Sequence, residues 1–190
     1  SGEAVFADPE AALEFVELLR FVKKRDGWTV FAWVLMSNHY HLVIRSRAVP
    51  ISRGFHYLQG TFSRRFNRSS SRTGALWQSR YHAKPVNEQS YLDRVVLYIH
   101  LNPVAGGLEE DPADYVFGGH REIAKRVGEE ILDNKLSPAS WAEALLAARL
   151  NGTKPSAEYA RIRSAELKRE KEHRELKARM LEERRLKTGG

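Results

Sequence analysis

The chain has 190 residues, 42% of them hydrophobic, with a formal charge of +7 and no cysteine. That length and apolar content suit one core domain with appendages, and the lack of cysteine excludes disulfides and thiolate metal sites, leaving only nitrogen and oxygen to hold a metal. No signal-like segment opens the chain and no apolar stretch approaches the ~20 residues of a bilayer span, so a soluble, cytoplasmic protein with no membrane partner is expected.

Residues 8–25 read as an amphipathic helix: Asp8 can cap it, Pro9 suits its first turn, and Leu13, Val16, Leu19 and Val22 recur at helical spacing. The tripeptide "DGW" ends it. Residues 28–36, "WTVFAWVLM", are rich in strand formers, Ser37 and Asn38 make a turn, and residues 39–45 alternate as a second strand, which predicts an antiparallel hairpin. Residues 50–68 return to helical spacing through Ile51, Phe55, Leu58, Phe62 and Phe66. "NRSSSRTGA" is a polar, basic loop.

The stretch "LWQSRYHAKPV" reads as a strand ended by Pro85, and residues 88–101 as a helix carrying Leu92, Val95, Val96 and Ile99. Because proline disfavours helical conformation in the residue before it, Pro103 should stop that helix at Asn102. A turn, "NPVAGGLEEDP", leads to a short segment around "DYVFGGH" and then to weaker helical stretches at 121–132 and 137–150. Residues 157–187, rich in Glu, Lys and Arg, read as a charged helix.

This order predicts an α+β domain over residues 1–120, with helices on one face of an antiparallel sheet, followed by a helical extension at 121–150 and a charged helical tail at 151–190. A ferredoxin-like arrangement also requires a strand before the first helix, where only "EAVF" stands.

The charge is unevenly placed. Between Gly27 and Asn87 there is no Asp or Glu, while Arg45, Arg47, Arg53, Arg64, Arg65, Arg68, Arg72, Arg80 and Lys84 are interleaved with Phe55, Tyr57, Phe62, Phe66, Trp77 and Tyr81. Basic and aromatic residues alternating without acids point toward phosphate and base contacts, against the plainer reading of a basic surface with no partner. Arg64, Arg65, Arg68, Arg72 and Lys84 are the candidates for backbone contacts, Tyr81 or Trp77 for stacking, and Arg80 for either a DNA contact or a structural ion pair. Core packing is the preferred reading of Trp77 and Phe62.

In "SNHYHLVIR", His39 and His41 fall at i and i+2 of a strand and so share one face, as two ligands of one metal must. Two hydrogen-bonded structural histidines would look the same. In "YLDRVVLYIHLNPV", Tyr98 and Asn102 stand four residues apart and share one helix face, placing a phenol near an amide. A core tyrosine and a turn asparagine would also fit. His100, two residues from Tyr98, points elsewhere on a helix and is left out of the site.

Taken together, "AWVLMSNHYHLVI", "LWQSRYHAKPV" and "YIHLNPVAGGL" resemble, in order, the blocks of single-tyrosine HUH transposases, especially the REP-associated tyrosine transposases. "DYVFGGH" resembles the block that closes their domain, so the likeness runs from about Phe6 to about His120. It implies a ferredoxin-like core, His39 and His41 as the paired metal ligands, Tyr98 as the nucleophile and Asn102 as the residue completing the metal site. It also implies Mg2+ or Mn2+ as cofactor, single-stranded DNA with hairpins as substrate, a nucleoid setting and a homodimer as one assembly. Relatives begin with a strand that this chain lacks, so a truncated or engineered start is expected at "SGEAVF".

The chemistry implied is in-line attack by Tyr98 on a phosphodiester, giving a 5′-phosphotyrosyl linkage and a free 3′-OH. Two other classes stay open: a domesticated protein that binds hairpin or single-stranded DNA without cutting it, and an unrelated metal hydrolase indifferent to Tyr98.

Overall fold

The structure is a computed structural model that describes residues 3–125 and 131–133. The helix expected at 137–150 and the charged tail at 151–190 lie outside the described residues, as does most of the 121–150 extension.

A 3-10 turn, Val5–Ala7, precedes helix α1, Pro9–Asp26. Asp8 Oδ1 accepts from Glu10 N at 3.0 Å, Pro9 occupies the first turn, and Gly27 closes the C-terminus at φ +64, where a side chain would be strained. Strands β1, Thr29–Leu35, and β2, Tyr40–Arg45, pair antiparallel, with a bulge between Val30 and Ala32. Helix α2, Ile51–Ser69, and helix α3, Gln89–Ala105, follow, and a short α4 spans Gly119–Lys125.

The sheet has two strands among the described residues, and the architecture is mixed α+β with an antiparallel sheet, as expected. The helices, however, cover both faces rather than one. Val30, Trp33 and Leu35 pack with Phe15 and Leu19 of α1 and with Phe55, Leu58 and Phe62 of α2, while Phe31, Ala32, Val34 and Val43 pack with Val96 and Ile99 of α3. The reason lies in β1: six of its seven residues are buried, so both of its faces are apolar and both need a helix.

Two boundary expectations are corrected. Residues 76–86 form no strand; Pro85 lacks a donor, and the backbone of β2 on that side is reached by no hydrogen bond from outside the hairpin among the described residues. Helix α3 also runs through Pro103 to Ala105. Its terminator is Gly107 at φ +67, with Leu108 N donating to Pro103 O at 2.9 Å and Gly107 N to Val104 O at 3.1 Å, the paired closure of a Schellman motif. Proline costs α3 one hydrogen bond, to Ile99 O, but leaves the succeeding turn intact.

The outer edge of β1 is clasped by the segment read as closing the domain. Val34 bridges Gly118, Leu35 N donates to Phe117 O at 2.9 Å, and Tyr115 Oη donates to Leu35 O at 2.7 Å. Below it, Asp133 N donates to Val30 O at 3.0 Å.

Candidate functional site

Alternation along β2 sends Tyr40 and Leu42 to the α1–α2 side and His41 to the α3 side. The turn Met36–His39 is closed by Met36 N donating to His39 O at 2.8 Å, which brings His39 beside His41. Their ring centroids are 4.9 Å apart at an interplanar angle of 83°. Across the sheet face, α3 presents Tyr98, whose ring lies 5.7 Å from that of His41 at 72°. The two histidines and the tyrosine singled out from the sequence therefore meet.

Asn102 sits one helical turn beyond Tyr98 and is buried, its Nδ2 donating to Tyr98 O at 2.9 Å. With the amide hydrogen engaged by the helix, Oδ1 is the atom left to accept or ligate. One turn further, a Cβ at Gly106 would lie 3.1 Å from Met36 Cε, so the end of α3 lies over the hairpin turn that carries His39.

Asn38 does more than make the turn. Its Oδ1 stands 2.7 Å from His39 Nδ1; since that oxygen can only accept, the contact selects the Nδ1–H tautomer and leaves Nε2 with its lone pair. Partial burial lowers the pKa of each ring, although His39 stays exposed, and neighbouring His39 lowers that of His41 further. Both rings are thus biased toward the neutral form that can ligate a cation.

Two imidazoles side by side, with an amide one helical turn beyond Tyr98, are donor types suited to a weakly held divalent cation. Among the described residues no group of three His, Cys, Asp or Glu side chains converges anywhere. His100 turns away, as its position on the helix dictates: it is buried against His120, with ring centroids 5.6 Å apart.

The basic candidates divide into two sets. Arg80 and Tyr81 line a cleft of about 560 Å³ with His39 and His41, and Tyr81 and Lys84 line a larger one of about 990 Å³ with His41 and Tyr98. Tyr81 is also stacked on Phe55 at 4.3 Å, so one of its faces is already taken. The arginines of α2 lie on the other side of the sheet. Arg64 donates to Thr61 Oγ1 at 3.1 Å, Arg65 pairs with Glu14 at 3.3 Å, and Arg68 is exposed near the end of the helix; Arg72, beyond the end of α2, pairs with Glu3 at 2.8 Å. Phe62 is fully buried, and Trp77 donates from Nε1 to Gln59 O at 3.1 Å while packing against Phe6, Phe15 and Phe62, in keeping with core roles.

Residues 3–102 match the family described as IS200-like transposases, a span that contains the histidine pair, Tyr98 and Asn102. The chain belongs to the IS200-like transposase family. It is therefore a transposase-like protein that acts on DNA. A solved structure of a REP-associated tyrosine transposase bound to a REP hairpin is similar to 63% of this chain over 74% of its own, with a TM-score of 0.48 and 20% sequence identity. No curated protein matches. Among the described residues no helix is long and apolar enough to cross a membrane.

Proposed function

We propose that the protein cleaves and rejoins single-stranded DNA at or near hairpins through a covalent tyrosine intermediate, with Tyr98 as nucleophile and His39, His41 and Asn102 holding a divalent cation. The observation that carries this reading is the meeting of the Tyr98 ring with the His41–His39 pair across the sheet face. A homodimer acting at the nucleoid is part of the same reading and follows from the family resemblance.

Tyr98 Oη attacks phosphorus in line with the 3′ oxygen. The phenolic proton passes to solvent, the new bond is a 5′-phosphotyrosyl ester, and the departing 3′ oxygen takes a proton from solvent to become a free 3′-OH. One phosphodiester replaces another, so a second 3′-OH can reverse the step without ATP. His39, His41 and Asn102 would hold Mg2+ or Mn2+, which would supply neutralisation of the phosphate charge. The chain's own contribution is positional: α3 holds the phenol beside His41, Asn38 holds His39 in one tautomer, and the Tyr98–Asn102 bond ties the amide to the helix that carries the nucleophile. Arg80, Tyr81 and Lys84 border the same clefts and provide phosphate and base contacts to the strand.

The experiment is incubation with hairpin DNA labelled at its 3′ end and Mn2+, followed by a denaturing gel. A labelled protein band is expected for the wild type and none for Tyr98→Phe, with DNA affinity retained in the variant. Tight binding without an adduct across a panel of hairpins would instead assign the chain to the non-cleaving DNA-binding class.

A further inference from the structure

On the side of the sheet away from α3, a crevice of about 370 Å³ opens between α1 and α2, lined by Arg25, Arg53, His56, Tyr57, Thr61 and Arg64. Its charges do not cancel. Asp26 is the buried acid beside it, and Arg25 takes both carboxylate oxygens, through Nε at 2.8 Å and Nη2 at 2.6 Å. Arg53 reaches the same carboxylate only at 3.8 Å, with 60% of its side chain exposed. Arg64 bonds to a neutral hydroxyl, that of Thr61. Three guanidinium groups thus face one carboxylate, which leaves a surplus of positive charge around a concave surface.

The crevice is also built, in the sense that one of its cations is fixed before any ligand arrives. Asp26 grips Arg25 by its fork, and the guanidinium lies over the Tyr57 ring at 4.4 Å; that ring is in turn packed against Phe21 at 5.3 Å. Two of the five N–H donors of Arg25 are spent on Asp26, and the rest stay available to an anion. A tetrahedral anion with several oxygens matches forked donors from more than one arginine better than a carboxylate does.

We propose that this crevice seats a backbone phosphate of the bound DNA, giving the protein a second anchoring point on the face of the sheet opposite Tyr98. The proposal rests on the chain acting on DNA but not on the tyrosine chemistry. A strand held here and at the nucleophile must pass round the sheet, and the clefts lined by Arg80, Tyr81 and Lys84 border such a path.

The test is equilibrium binding of a fluorescent hairpin oligonucleotide with single-stranded flanks, in a Tyr98→Phe background and without divalent metal, over a range of NaCl. Arg53→Ala combined with Arg64→Ala should weaken binding roughly four- to fivefold at 0.15 M salt and reduce the slope of log K against log salt by about one, the signature of one lost phosphate contact. Lys24→Ala, which removes an exposed cation of α1 outside the crevice, should do neither. His56→Glu adds negative charge among the arginines while leaving the Arg25–Asp26 pair alone, and should weaken binding at least as much. Equal effects of Lys24→Ala and the double variant, or an unchanged salt slope, would overturn the proposal. Titration with inorganic phosphate at matched ionic strength forms the second arm. Saturable phosphate binding that vanishes in the double variant while DNA affinity stays the same would make this a free-anion site and also overturn it. Because no cleavage is measured, absence of a tyrosine adduct elsewhere leaves the outcome readable.

Discussion

Two glycines of α2 should respond to alanine in opposite directions. An ideal Cβ at Gly54 would overlap Trp28 Cζ2, with Cη2 at 2.8 Å and Cε2 at 2.9 Å. Carbon atoms pack at about 3.5–4.0 Å, so the indole must retreat by more than ~1 Å. It has little room: Trp28 is 3% exposed and packed against Phe55 at 5.2 Å. Overpacking of this kind costs about 1–3 kcal/mol or more, against a gain of roughly 1 kcal/mol in helix propensity when glycine becomes alanine. Gly54→Ala should therefore be destabilising by about 1–2 kcal/mol. At Gly60 the nearest atom to the same Cβ is the flexible tip of Arg64, at 3.5 Å, so only the propensity gain remains and Gly60→Ala should stabilise by up to about 1 kcal/mol. Urea denaturation followed by tryptophan fluorescence measures both. Equal midpoints for the two variants would refute the packing argument, because the helix propensity term is common to them.

The remaining predictions concern buried acids. Asp26→Asn removes the carboxylate that binds Arg25 through two oxygens, and should cost about 2–3 kcal/mol. The bond from Arg25 holds the Asp26 carboxyl below the usual aspartate range. Its contribution is therefore present above the ordinary aspartate pKa and lost as pH falls through the lower folded value, below about pH 4. Wild type should lose stability faster than the asparagine variant on acidification, and parallel acid limbs would count against it. Glu122 accepts from Trp33 Nε1 at 2.8 Å and from Leu132 N at 2.9 Å, yet burial raises its pKa above the ordinary glutamate value. Here the sign reverses: the contribution is fully present below the unfolded pKa and fades as pH rises through the folded one. Glu122→Gln, which must turn one N–H donor toward another, should cost about 1–3 kcal/mol, with a gap to wild type that widens as pH falls from neutral toward about 4.5; thermal melts across that range test it, and a constant gap would exclude the titration.

Local signals carried much of this fold. The Asp8–Pro9 start and Gly27 end of α1 were legible because caps depend on residues adjacent in sequence, and the i, i+2 spacing of His39 and His41 does bring the rings together, although His39 lies in the turn and only His41 in β2. The Tyr98–Asn102 spacing appears as a bond from the Asn102 amide to the Tyr98 backbone carbonyl rather than to its phenol. What escaped depends on partners distant in the chain. The alternating pattern of residues 76–86 looks like a strand, but a strand exists only when another lies beside it. The clasp of Tyr115, Phe117 and Gly118 on β1 joins segments some eighty positions apart, with no motif to announce it. The two-sided cover of the sheet was readable in principle, since "TVFAWVL" is continuously apolar rather than alternating. Pro103 alone suggests an earlier end to α3 than the glycine pair that terminates it.

Those same long-range contacts explain how a sheet with two strands among the described residues can carry a precise site. An isolated hairpin is marginal in water, and the histidines sit at its turn and on its outer strand, where fraying would be greatest. Three devices oppose this. Tyr115 ties its hydroxyl to Leu35 O, the last residue of β1 before the turn. Phe6 N donates to Ser37 O at 2.8 Å inside the turn itself, with the Phe6 ring anchored in the core against Phe15 and Phe62. Helix α3 seats Val96 and Ile99 on the opposite face and, by running past Pro103 to Gly107, brings Gly106 against Met36. The turn that carries His39 is thus held from its strand, from the N-terminal segment and from the helix that bears the tyrosine. Had α3 stopped at Asn102, the amide would sit on a fraying last turn. The extra turn places it inside a closed helix, where its position relative to Tyr98 is set by backbone hydrogen bonds rather than by chance encounters of a mobile end.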